Sequence, residues 1–137
     1  MTTANWALQK ALYQVLSTDT VLAPLVGNRI FDDAPVSDPP TMHPFLVIGE
    51  GSLRDWSTST EDGAEHIIDI RVYSRSGGRS ETKLILEAVD TALRGAAPNI
   101  TGHVLINLTM QRQEVRMASD GETHLGLIRF RVVTEPE

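Results

Sequence analysis

Four histidines, His43, His66, His103 and His124, are the side chains with which this sequence would run acid–base or metal chemistry near neutral pH. A metal site needs such ligands clustered, commonly two one helical turn apart with a carboxylate beside them. Here each histidine falls on a different expected element, and none lies four residues from another. His66 and His124 are the pair that neighbouring strands would bring nearest, yet a lone strand histidine is more often structural. No metal site is expected. Cysteine is absent, which excludes thiolate metal sites, cysteine nucleophiles and disulfides.

Phosphate and acyl chemistry find no better frame. Gly77-Gly78 precedes a helical stretch, and a helix N-terminus can receive an anion, but no Gly-Lys-Ser or Gly-Lys-Thr completes a phosphate loop. Gly49 and Gly51 make a G-x-G without the third glycine of a dinucleotide site, and Gly51-Ser52-Leu53 is no G-x-S-x-G elbow. The adjacent carboxylates Asp32-Asp33 and Glu61-Asp62 point apart and read as solvated loop charge. No catalytic residue and no cofactor are expected, and the chain reads as no enzyme. Trp56 remains, beside a polar loop, where its large apolar area would serve either as an interface anchor or as a cap on the end of a sheet. Trp6 is expected in the core.

The elements that would position these residues follow from periodicity. Leu8, Ala11, Leu12, Val15 and Leu16 recur at three- and four-residue spacing and predict an amphipathic helix over Thr3 to Ser17. Pro24 suits the first turn of a short helical piece that Gly27 ends. Arg29 to Phe31 predicts a brief strand. The prolines at 35, 39, 40 and 44 break any ladder and predict a loop or extended arm over Asp32 to Pro44. Strands are expected from Phe45 toward Trp56 and from Ala64 to Ser74, joined by the hydroxyl-rich loop Ser57 to Gly63. In the second of these His66, Ile68, Ile70 and Val72 share one face.

Ser80 is placed as the N-cap of a second helix that runs to Arg94, presents Leu84, Ile85, Ala88, Val89, Ala92 and Leu93, and stops at Gly95. Alternation over His103 to Met117 and Glu122 to Thr134, around Ala118-Ser119-Asp120-Gly121, predicts a long hairpin with Gln111, Gln113, Arg129 and Arg131 facing outward. Strands of that length leave edges that a neighbour must pair or that must be protected. The order of elements predicts one α+β domain over residues 1–137, a mostly antiparallel sheet covered by two helices on one face.

At 137 residues there is room for one core, and 41% apolar with 22% charged residues is an ordinary globular composition rather than a disordered one. A net charge of −6 argues against gripping duplex phosphates. Neither an export signal nor a membrane span is expected, since no basic stretch precedes an apolar block. The first 69 residues carry a net −7 and the rest a net +1, which either is a solvated surface or draws the two halves together across a subunit contact.

Several short runs, in this order and spacing, resemble a phage tail-completion family that includes tail terminators of long-tailed phages and gene transfer agents. They are A-L-Q-K-A-L-Y from Ala7, L-V-G-N-R-I-F-D from Leu25, P-F-L-V-I-G-E from Pro44, and D-W-S-T from Asp55. Further on stand G-A-E-H from Gly63, S-R-S-G-G-R from Ser74, and D-G-x-x-H-x-G-x-x-R-F-R from Asp120. The resemblance covers nearly the whole chain. It implies a virion protein that assembles with itself as a ring, hexameric in the family reading, at the head-proximal end of a tail tube. Its implied partners are the tail tube protein and a head-completion or connector protein, with DNA passing through the channel unread and no membrane involved. A head-tail connector or head-closure subunit is the alternative. Candidate interface residues on this reading are Asp55, Trp56, Ser57, Thr58, Arg75, Arg79, Arg129 and Arg131.

Overall fold

β-Branched and aliphatic residues at every second position make the middle of the chain's sheet: Ile68, Ile70 and Val72 on one strand face Phe130, Ile128 and Gly126 on the next. The computed structural model describes residues 4–32 and 43–137. Five strands, β1 (Ile30–Phe31), β2 (Phe45–Asp55), β3 (Ala64–Ser74), β4 (His103–Met117) and β5 (His124–Pro136), form one sheet in the order β1-β2-β3-β5-β4. β1 runs parallel to β2 through Ile30↔Leu46 and Phe31↔Val47; every other pairing is antiparallel.

Helices α1 (Ala4–Thr18) and α3 (Ser80–Ala96) lie on one face of the sheet, with the single turn α2 (Ala23–Val26) between α1 and β1. Leu8, Leu12 and Leu16 of α1 and Ile85, Leu86, Val89 and Leu93 of α3 meet Leu46, Ile70, Ile128 and Phe130 of the sheet, each at most 1% exposed. Burying such a side chain is worth about 1.5–3 kcal/mol, so this single layer of contacts is the main source of stability. The expected α+β architecture, with its helices on one face, is the one observed. Where α3 crosses β5 the strand carries Gly126, and a Cβ there would lie 2.6 Å from Thr82 Cγ2 and 3.1 Å from Leu86 Cδ1. The missing side chain sets how closely helix and sheet approach.

Several expectations are corrected. Ser80 lies inside α3, not at its cap: the residue before the helix is Arg79, which makes no side-chain capping bond. Gly95 does not stop the helix. α3 continues to Ala96 and ends where Ala97 takes a left-handed conformation, φ 47°, ahead of Pro98, which disfavours further helix. Leu84 is 52% exposed while Leu86, one position off the expected stripe, is fully buried. Trp6 is not in the core but 55% exposed on the outer side of α1, with the Lys10 ammonium 5.9 Å from its ring centroid.

Two irregularities in β4 account for the remaining difference. Pairing with β5 skips Ile106 and Gln111, so the alternation of faces is reset twice. As a result Gln113 pairs with Ile128 and shares its helix-side face, contrary to expectation. Gln111 is itself a bulge residue. Of the expected arm over Asp32 to Pro44, residues 33–42 lie outside the described residues.

Candidate assembly interface

Alternation that buries Ile68 and Ile70 against the helices turns Glu65, Ile67, Asp69 and Arg71 to the opposite face, which no described helix covers. Several ion pairs cross between strands on that face. Arg129 lies directly across from Asp69 and grips it with two bonds, Nε to Oδ1 at 2.7 Å and Nη2 to Oδ2 at 3.0 Å. Arg131 Nε donates to Glu65 Oε2 at 2.6 Å, and Arg54 Nη2 reaches Glu65 Oε1 at 3.0 Å. Arg71 and Glu50 add a further pair at 3.3 Å, and Arg112 and Glu114 another at 2.7 Å. The Arg131 bond holds the Glu65 carboxyl below its ordinary value, with Arg54 adding to the effect, and Asp69 holds the Arg129 guanidinium above its own. Acid from the first half of the chain is thereby matched to arginine of the second within one molecule, so the lopsided charge serves the sheet itself.

At one end of this face stands Trp56, 47% exposed, with the Arg131 guanidinium carbon 5.0 Å from its ring centroid. The loop that presents it is tied internally. Trp56 N–H donates to Gly63 O at 2.9 Å, Ser57 Oγ donates to Asp55 Oδ1 at 2.6 Å, and Thr58 N–H donates to Glu61 O at 2.8 Å. The Ser57 hydroxyl, then its N–H, hold the Asp55 carboxyl below its usual value. Asp55, Ser57 and Thr58 therefore shape the turn, and Trp56 is the side chain the turn offers.

The structure brings only part of the expected set together. Asp55, Trp56, Ser57, Thr58 and Arg131 gather at the β2–β3 loop, and Arg129 lies midway along the open face. Arg75 and Arg79 sit at the other end, between β3 and α3. Arg75 Nε donates to Thr123 Oγ1 at 3.0 Å and its Nη2 lies 3.6 Å from Asp120, tying the β3–α3 turn to the β4–β5 turn. Asp120 accepts from the Thr123 hydroxyl and from the Thr123 and Glu122 N–H groups, which push its carboxyl far below the usual range.

The histidines do not converge. His66 pairs in register with Val132 and His124 with Ser74, at opposite ends of β3. His66 is fully buried with Nε2 3.0 Å from Thr134 Oγ1, and burial, then the nearby His103, pushes its pKa down. Among the described residues no group of three or more His, Asp or Glu could hold a metal ion, and no helix is long and apolar enough to cross a membrane.

Sequence reasoning missed the apolar side chains that β4 exposes. Val104, Ile106, Met110 and Met117 are each 39–51% exposed. The signal was present as apolar residues on both faces of the 103–117 alternation, which is more than a half-buried strand needs. A groove of about 460 Å³ beside Trp6, Tyr13 and Phe31, between α1 and β1, was missed as well.

None of the curated proteins matches the chain. A chain in the solved virion of a native gene transfer agent particle has the same fold, with a TM-score of 0.87 and 30% sequence identity over 98% of this chain and 99% of that one. The family described as Tail completion protein gp17 matches residues 10–135. With residues 10–135 inside that match, nearly the whole chain, the chain belongs to the Tail completion protein gp17 family.

Proposed function

We propose that this chain is a tail terminator: copies close into a ring, six in the family reading, on the head-proximal end of the tail tube, stop its growth there and join the tail to the head. The observation that carries the reading is the likeness to a chain of a gene transfer agent virion, which spans 98% of this chain and 99% of that one. Its partners are further copies of itself, the tail tube protein and a head-completion or connector protein. Genome DNA passes through the centre without sequence readout, and the net charge of −6 agrees with a weak grip on phosphates.

The contact surface on this reading combines Asp55, Trp56, Ser57, Thr58, Arg129 and Arg131 at one end and along the open face, with Arg75 and Arg79 at the other end. A heterologous contact repeated about a rotation axis closes a ring without exposing new edges. Particles that lack this protein supply the test, by electron microscopy of tail length and attachment. Overlong or unattached tails are expected. Tails of normal length beneath heads that leak DNA would replace the terminator with a head-closure subunit.

A further inference from the structure

Among the described residues the sheet ends in two edges that carry exposed apolar side chains. β4 is outermost, has 15 residues and pairs only with β5. At the other side β1 covers β2 only at Leu46 and Val47, so Gly51–Asp55 has β3 on one side and no described strand on the other. Natural edges are blunted by charge, lysine above all, by proline, by brevity or by bulges, and of these β4 has its two bulges and the charges of its second half. Neither stretch contains lysine or proline. Of the ten large apolar side chains left exposed among the described residues, four (Val104, Ile106, Met110, Met117) are on β4 and two (Leu53, Trp56) are on or next to the free part of β2.

We infer that β4 of one copy adds antiparallel to the Gly51–Asp55 stretch of β2 in the next copy, continuing the sheet from subunit to subunit. The inference rests on the ring proposed above and names the surfaces that close it. Its geometry follows from the sheet. β2 and β5 run opposite to β3 and β4. A rotation axis along the strands keeps β2 of the next copy antiparallel to β4 of the first and keeps the helices of both copies on the same side. Each copy then spends one edge on each neighbour, with the free part of β2 facing the first half of β4.

The rows of the sheet show what would meet. Across one chain Gly51 is level with Ile68, Phe130 and Met110, and Leu53 is level with His66, Val132 and Leu108. Without stagger between copies, the half-exposed Met110 packs over Gly51, which has no side chain to obstruct it, and Leu53 packs beside Leu108. The bulges at Ile106 and Gln111 set off the segments 107–110 and 112–117 of β4, and the first of these is level with Gly51–Arg54.

Amide hydrogen exchange on the full chain, compared between dilute and concentrated samples whose mass is followed by light scattering, tests the pairing. The expected result is mass rising with concentration, with exchange slowed over 105–110 and 51–55. Two variants at exposed positions, Leu53→Lys and Ile106→Lys, place a charge on each edge; circular dichroism should match the parent, and the self-association constant should weaken at least about tenfold. Association with slowed exchange confined elsewhere, such as the groove beside Trp6 and Tyr13, overturns the pairing, as does association unchanged in both variants. A chain that stays monomeric at every concentration also overturns it. The terminator reading stands or falls separately, on tail length in particles.

Discussion

Gly126→Ala offers the sharpest check on how helix and sheet fit. The new methyl would sit 2.6 Å from Thr82 Cγ2 and 3.1–3.2 Å from Leu86 Cδ1 and Cγ, and both neighbours are fully buried. Thr82 is β-branched and helical, so its side chain has few rotamers into which to retreat. Overpacking of this kind costs about 1–3 kcal/mol, and replacing a freely rotating glycine by alanine returns roughly 0.5–1 kcal/mol. A 2.6 Å approach between carbons puts the cost at the upper end of that range, so the net expectation is a loss of about 1–2.5 kcal/mol, or roughly 3–9 °C in Tm for a domain of this size. Urea unfolding at a concentration where the chain is monomeric gives the free energy directly. Thr82→Ser removes the methyl that clashes. Alone it should destabilise by about 1 kcal/mol through the lost buried methyl, and in the Gly126→Ala background it should restore stability, a coupling of about 1 kcal/mol or more. A Gly126→Ala protein as stable as the parent, or two substitutions that simply add, would refute the close approach as the reason for glycine.

Three further outcomes are expected. Trp56→Ala removes a side chain that stands on the surface, so the circular dichroism and melting of the monomer should be nearly unchanged while assembly weakens; unaltered ring formation in light scattering rules the indole out as a contact. Asp120 has a carboxyl held below its ordinary 3.8 by three hydrogen bonds, so its contribution is complete at neutral pH and is lost as pH falls below 3.8 toward the lower folded value. Asp120→Asn should therefore destabilise at neutral pH by an amount that shrinks on acidification, and a difference independent of pH in thermal melts would contradict this. His66 is kept neutral by burial, so the unfolded chain takes up a proton that the folded chain refuses; stability is full above 6.5 and declines as pH drops through the depressed value. His66→Gln should flatten that part of the stability profile, and a profile parallel to the parent's would show that the proton is taken up elsewhere.

Period and punctuation made most of the fold legible. Ile68, Ile70 and Val72 announce a strand because side chains alternate along extended backbone, and Leu8, Leu12 and Leu16 announce a helix because they return to one face every three or four residues. The stop of α3 was misplaced for a local reason: Gly95 is a permissive residue, but the chain obeys Pro98 and turns at Ala97. Trp6 was misplaced for a tertiary one. Position on a helix tells which residues share a face, whereas the width of the buried stripe depends on what packs against it, and here β2 and α3 cover the leucines and leave the indole outside.

By itself, then, the order of apolar and polar residues determined the α+β class, the two covering helices and the long terminal hairpin, because each of these depends on local spacing. Which charges meet was a matter for the folded chain. Asp69 and Arg129 are 60 positions apart, and only the register of β3 on β5 sets them face to face. The faces of β4 were likewise settled in three dimensions, since a bulge shifts every side chain beyond it by one position, and nothing in the run from His103 to Met117 marks Ile106 and Gln111 as the residues left out of the ladder.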